Sequence, residues 1–242
     1  MSGGKPAAEP RRWKRKTSSK DGDTRMMDER VKTARGRKMS STLWLKRQLN
    51  DPYVKKARQM GYRARAAFKL KELDEKFHLL RPGIKVVDLG AAPGSWTQVA
   101  LEARVGHIVG IDILEVEPVP GAEILHMDFM SEEAPALLKA KLGGPVDLVM
   151  SDLAANTTGH RQTDHLRTIA LVEAAADFAL DVLAPGGDFV SKVFQGGAQA
   201  DLLAKLKKNF TSVRHAKPKA SRVGSPEIYL IAKGFHGIDN NK

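Results

Sequence analysis

The residues best placed to do chemistry are charged side chains at the ends of apolar runs. Lys192 lies inside FVSKVF (189–194), flanked by Val190, Ser191, Val193 and Phe194. An ammonium in such a setting is not freely solvated, and burying one is costly unless it is paired. Asp152 directly follows the run LVMS (148–151) and can supply a carboxylate. Glu227 opens the last apolar run and can supply a second, and Lys69 can enter from a helix that precedes all of these runs. Two amines and two carboxylates gathered at strand ends can hold and move a proton. The same four residues also make a buried ion-pair set with no catalytic work. The residues alone leave both readings open.

A second site candidate is VVDLGAAPGSW (86–96), where an apolar β-branched run ends in an acid and then a loop with Gly90 and Gly94 at its ends. Glycine has no Cβ and tolerates positive φ, so the backbone there can approach a ligand closely. In open α/β sheets, ligands bind beyond the carboxyl ends of the strands. A dinucleotide fingerprint needs G-x-G-x-x-G. Here Ala92 and Pro93 stand inside the loop and no third glycine follows, so a nicotinamide dehydrogenase is disfavoured. A G-x-x-x-G loop without a pyrophosphate site fits S-adenosylmethionine, although a mere tight turn has the same look. Asp112, 18 residues beyond Gly94, ends the next strand-like run and is placed to accept hydrogen bonds from ribose hydroxyls. Asp128, in HMDFM, is placed to meet an adenine amino group. Each has the plainer reading of a surface acid on a turn.

The elements that must position these groups are legible as a pattern. Apolar β-branched runs occur at 84–88, 107–111, 123–126, 146–151, 187–194, 211–215 and 227–232. Helical patterns lie at 64–78, 96–103, 132–141, 165–183 and 198–208. The alternation predicts an α/β, Rossmann-like fold: a mainly parallel sheet of seven strands with helices on both faces. No helix separates the last two strands, so they are expected to pair antiparallel at one edge. That is the usual architecture of class I methyltransferases.

With 242 residues the chain allows one ordinary domain plus an appendage, and 42% hydrophobic residues suffice for a sizeable core. The absence of a long apolar run or leader pattern predicts neither membrane insertion nor secretion, and zero Cys fits a reducing cytoplasm. No metal site is expected, since His160 and His165 have no HExxH context. The net charge of +12 is uneven: residues 1–69 carry +15 and residues 70–242 carry −3. Such asymmetry points to a polyanionic partner, or to a solvated tail that maintains solubility. Residues 1–38 are expected to be a disordered basic extension. Residues 39–65 read as a basic RNA-binding lobe, where Lys55, Lys56, Arg58, Arg63 and Arg65 can meet phosphates and Trp44 or Tyr53 can stack on bases. Residues 66–236 would form the catalytic domain and 237–242 a tail.

RARAAFKL (63–70), VVDLGAAPGSW (86–96), VMSDLAAN (149–156), FVSKVFQG (189–196) and PEIYLIA (226–232) together resemble the FtsJ/RrmJ family of 2′-O-ribose RNA methyltransferases. The likeness runs in order from about Ser41 to Gly234. It implies S-adenosylmethionine as cofactor, with contacts at Gly94, Trp96, Asp112, Asp128 and Asp152. It implies a Lys69–Asp152–Lys192–Glu227 tetrad around the target hydroxyl, with Lys192 as proton acceptor in its neutral form. It also implies a uridine in the A-loop of 23S ribosomal RNA as target, on the 50S subunit, with the enzyme acting as a monomer. Two departures are visible: Ala155 stands where a proline is usual, and Ser95 where a second glycine is usual. Neither removes a reactive group. The rivals are a related enzyme acting on tRNA or on an RNA cap, and an RNA-binding assembly factor that has lost catalysis.

Overall fold

Apolar β-branched runs bounded by Gly and Pro become strands, and the amphipathic stretches between them become helices. The structure, a computed structural model, describes residues 39–155, 159–194, 200–222 and 224–237. The basic extension 1–38 and nearly all of the tail lie outside the described residues. In chain order the elements are α1 (Met39–Asn50), α2 (Pro52–Gln59), α3 (Ala66–Phe77), β1 (Lys85–Leu89), α4 (Ser95–Glu102), β2 (His107–Asp112) and β3 (Glu123–His126). They continue with α5 (Ala134–Leu142), β4 (Val146–Ser151), α6 (Arg161–Val182), β5 (Leu183–Phe194), α7 (Ala200–Asn209), β6 (Phe210–Ala216) and β7 (Glu227–Phe235).

The basic lobe is thus two short helices. Asp51 starts the second: its side chain accepts a hydrogen bond from the Tyr53 amide at 3.0 Å, and Pro52 fills the first helical position, where no amide is needed. Two boundaries differ by four residues from the periodicity, the others by three or fewer. The helix α6 begins at Arg161, four residues earlier than expected, because RQTD has no apolar residue to mark its first turn. The strand β5 begins at Leu183 rather than 187. The segment APGG (184–187) reads as a turn, but it is a register shift against β4, which pairs Val146 with Leu183 and then Leu148 with Asp188.

The seven strands run in the order β3-β2-β1-β4-β5-β7-β6, the first five parallel and β7 antiparallel to both neighbours. The last two strands do pair antiparallel. However, β7 inserts between β5 and β6, so β6 forms the margin. Alternating side chains divide between two cores. Val87, Leu89, Val149, Phe189, Val193 and Leu230 face α5, α6 and α7. Val86, Leu148, Met150, Val190, Tyr229 and Ile231 face α3 and α4, with Ala57 and Tyr62 of the lobe in the same cluster. Among the described residues no helix is long and apolar enough to cross a membrane.

One acid sits wholly inside this sheet. Asp88 is 0% exposed; its Oδ2 accepts from the Thr97 hydroxyl at 2.7 Å, and its Oδ1 meets no partner. Burial pushes its carboxyl up to about 7, with the negative Asp152 and Asp112 adding to the effect and the Thr97 hydrogen bond opposing it. Between the ordinary carboxylate range and pH 7, the folded chain therefore keeps a proton that the unfolded chain has lost. Stability from this group falls as pH rises through that window. The Asp88→Asn variant has no such proton to lose. Its unfolding free energy in urea should gain on the wild type as pH rises from ~4 to ~7, by up to about 4 kcal/mol. A constant difference across that range would refute the assignment.

Candidate active site

The four candidate residues meet on one face of the sheet. Glu227 and Tyr229 are two apart on β7, and the antiparallel register sets them opposite Phe194 and Lys192 on β5. Period two therefore points Lys192, Glu227 and Tyr229 toward α3, which carries Lys69. Asp152 lies one residue beyond β4, its amide donating to Leu89 O at 3.0 Å. Lys192 Nζ donates to the Asp152 carbonyl at 2.7 Å and lies 3.2 Å from its Oδ1. Lys69 Nζ pairs with Glu227 Oε1. The side chains are 9% exposed for Lys192, 12% for Lys69, 17% for Glu227 and 19% for Asp152, so this is a crevice rather than a solvated surface.

The sequence reading did not single out the residue that joins the two pairs. The Tyr229 hydroxyl lies 2.9 Å from Asp152 Oδ1 and 3.1 Å from Glu227 Oε1, and its single proton is shared between them. Burial, and then the negative charge of Asp152 and Glu227, holds the phenol well above its ordinary value, so it stays a neutral donor. Its ring stacks at 5.6 Å on Trp96 and lies 5.8 Å from Lys69 Nζ. The signal was present in PEIYLIA as an aromatic two residues from Glu227. The result is a continuous chain, Lys69–Glu227–Tyr229–Asp152–Lys192. Lys192 thus gives one hydrogen bond to the Asp152 carbonyl and stands within ion-pair distance of the same residue's carboxylate.

The glycine loop lies against this chain. Gly90 has φ +82°, and a Cβ there would fall 2.8 Å from the Leu153 amide nitrogen and 3.1 Å from the Asp152 carbonyl carbon. Only glycine lets the loop and the segment after β4 come this close. Gly94 (φ +102°) opens α4. Asp112 accepts from the Ala92 amide through Oδ2 and from the Leu114 amide through Oδ1, both at 2.8 Å. Asp128 is exposed and accepts from the Met130 amide at 2.9 Å through one oxygen. Beside these acids, Ile113, Leu114 and Met130 are 50–64% exposed, an apolar lining at the strand ends that the protein leaves uncovered. The Trp96 indole is buried, and its Nε1 donates to Ala66 O at 2.9 Å. What it offers a ligand is its main chain in the first turn of α4.

The cations of the basic lobe divide into two sets. Arg63 turns inward: its guanidinium donates to Pro93 O (3.0 Å), Glu117 O (2.6 Å) and Pro118 O (2.8 Å), clamping the glycine loop. Arg65 pairs with Asp51 and donates to Ala220 O. Both guanidinia are engaged by the protein, which leaves them less to offer phosphate than their place in a basic stretch suggests. Lys56 and Arg58 are exposed, and Lys55 is half-buried. Tyr53 packs its ring on Phe68 at 5.6 Å and donates its hydroxyl to Glu72 at 3.3 Å. The side chain of Trp44 lies outside what the structure describes.

Residues 62–235 match the model of the FtsJ-like methyltransferase family. The ribosomal RNA large subunit methyltransferase E of Paramagnetospirillum magneticum is 61% identical over 223 residues, covering 89% of this chain and 91% of that protein. The protein of the same name from Novosphingobium aromaticivorans is 63% identical over 210 residues, covering 86% and 95%. Among solved structures, a Plasmodium falciparum protein assigned as a ribosomal RNA methyltransferase superposes with a TM-score of 0.65 at 32% identity, over 73% of this chain and all of that one.

Removing the bridging hydroxyl leaves each carboxylate with one lysine and no shared proton. The Tyr229→Phe variant should fold, keep Trp96 packed, and lose about 1–2 kcal/mol in urea unfolding at neutral pH. Unchanged stability would mean that the hydroxyl does not hold the two carboxylates together.

Proposed function

The chain belongs to the FtsJ-like methyltransferase family, and on that footing we propose that it transfers a methyl group from S-adenosylmethionine to the ribose 2′-hydroxyl of a uridine in 23S ribosomal RNA. The target nucleotide would be the A-loop uridine, presented by the 50S subunit. The observation that carries this reading is the convergence of Lys69, Glu227, Asp152 and Lys192 directly beside the close approach of Gly90 to the segment after β4.

The residues at the strand ends suit the cofactor. Asp112 and Asp128 would take the ribose hydroxyls and the adenine amino group, since each carboxylate keeps lone pairs beyond those used on backbone amides. Ile113, Leu114 and Met130 would cover the faces of the adenine, and Gly94, with the main chain of Trp96, would face the methionine end. When bound, S-adenosylmethionine supplies a methyl group on a sulfonium, open to in-line attack.

The work of the chain is to hold the nucleophile on that axis and to take its proton. Orientation supplies much of the rate in such a displacement. Lys192, as the free amine, has two N–H groups, and Asp152 offers both of them acceptors. The lone pair is then left for the ribose hydroxyl. Asp152 thus orients the base. Lys69, steered by Glu227, lies on the other side of Tyr229 and can donate to the sugar oxygens that flank the reacting one. No metal is needed for these steps.

Tritiated methyl transfer onto 50S subunits, naked 23S rRNA and tRNA, with mapping of the labelled nucleotide, tests the target. Label on a 2′-oxygen of 23S rRNA is expected. Label confined to tRNA would move the assignment to the tRNA-acting enzymes. Cofactor binding by calorimetry without transfer to any RNA would favour the assembly factor. The base is tested separately. Lys192→Ala should cut kcat by 10²-fold or more, the range typical of general acid–base catalysis, and Lys192→Arg should not restore it, because arginine stays charged. Activity in the arginine variant would make Lys192 a positioning cation instead.

A further inference from the structure

Outside the catalytic crevice, the described surface carries two grooves in series on the α3 side of the sheet. The first, of about 560 Å³, lies between α2, α3 and the loop joining β6 to β7. The second, of about 220 Å³, continues along β6, and Lys76 lines both. In the second groove Arg214 pairs in register with Ile231, on the face that α3 packs against.

Their charge is one-sided. Lys56, Lys76, Lys219 and Arg214 are exposed, and none is within ion-pair distance of a carboxylate among the described residues. Of the two acids in the first groove, Glu72 is turned to the protein: its carboxylate accepts from the Ala220 amide at 3.1 and 3.2 Å and from the Tyr53 hydroxyl. It keeps its charge, and Glu72 and Glu75 together are outnumbered by the five lysines that line the same groove.

The segment that displays Lys219 is held at several points, while Lys56, Lys76 and Arg214 stand on α2, α3 and β6. The main chain of Ala220 is held by Glu72 and Arg65, Lys217 Nζ donates to Ser225 O at 2.7 Å, and Pro218, Ala220 and Ser221 are buried while Lys219 points out. The loop also reaches the site: the Ser221 hydroxyl lies 3.5 Å from Glu227 Oε1. Cations held in advance lose less freedom on binding than lysines on a mobile tail.

We infer that this track, from Lys219 past Lys56 and Lys76 to Arg214, binds the phosphodiester backbone of the substrate RNA on the Lys69–Glu227 side of the target nucleotide. Several cations spread over two adjoining grooves beside the reactive crevice suit a polyanionic strand better than a single anion. The half-buried ring of Tyr53 in the groove wall offers a surface for an unpaired base. This inference rests on the RNA-acting reading above and extends it to where the substrate lies.

The test compares two double charge reversals of equal net charge. Lys76→Glu with Lys219→Glu lies on the track. Lys207→Glu with Lys208→Glu lies on α7, which packs on the opposite core. Binding of a 23S rRNA transcript is measured by filter retention across a salt series, and S-adenosylmethionine binding by calorimetry confirms an intact site. The track variant should lose about tenfold in affinity near 0.1 M salt. Its log–log salt slope should become shallower by about 1.5, as for two lost phosphate contacts. Arg214→Glu alone should lose about half of that slope change. Equal weakening by the two double variants would overturn the inference, because bulk charge would then explain the effect. So would unchanged transcript binding with weakened 50S binding, since the track would then face a protein. Binding is read without catalysis, so failure of the wild type to methylate would count against the proposed reaction alone.

Discussion

The arrangement depends on a balance of charge in a nearly closed crevice. Two amines and two carboxylates gathered with little water must lie close enough to offset one another's charge, since an isolated charge in such a setting is strongly unfavourable. The chain Lys69–Glu227–Tyr229–Asp152–Lys192 resolves this by pairing each carboxylate with one lysine and setting a neutral hydroxyl donor between the two carboxylates. Each member restrains its neighbours, so the position of Lys192 is set by the groups around it. Three strands and a helix must be in register for this to happen: β4 supplies Asp152, β5 Lys192, β7 Glu227 and Tyr229, and α3 Lys69. The rest of the fold can be read as the frame that brings these four elements to one end of the sheet.

The frame includes contacts that look at first like substrate machinery. Arg63 and Arg65 stand in the most basic part of the chain, yet their guanidinia are directed at carbonyls of Pro93, Glu117, Pro118 and Ala220. Arg63 fixes the glycine loop, and Arg65 fixes the loop after β6. A forked donor set suits this task better than an ammonium does, because it can join two loops at once. The cofactor side and the Glu227 side of the crevice are each tied back to the same five-residue segment, 61–65.

How much of this could be read from the residues follows from physical range. Strands and helices are set by periodicity over neighbours, and they emerged nearly as observed. Asp152, Lys192 and Glu227 were visible because charge within or at the end of an apolar run is anomalous, and Lys69 through its helix before the sheet and the family likeness of RARAAFKL. Tyr229 was not, because a tyrosine in PEIYLIA is ordinary for a strand, and its role depends on pairing with Lys192 across the sheet. The engagement of Arg63 and Arg65 was hidden for a different reason. Apart from the Asp51 carboxylate, their partners are main-chain oxygens, which every residue has, brought close from up to 155 positions away. Asp88 was seen only as the acid ending a strand. Its isolation became apparent once Thr97 and the surrounding apolar side chains were in place.

The insertion of β7 between β5 and β6 has a consequence for synthesis on the ribosome. Because the strand that carries Glu227 and Tyr229 is the last of the seven in chain order, an emerging chain can assemble the glycine loop and five parallel strands while two of the five linked side chains are still missing. During that interval the open margin of β5 is unpaired, and an unpaired margin is prone to join other chains. Arrival of one nine-residue segment then closes the gap in the sheet and completes the crevice in the same event. Until that segment arrives, Asp152 and Lys192 lack the hydroxyl and the carboxylate that continue the chain to Lys69.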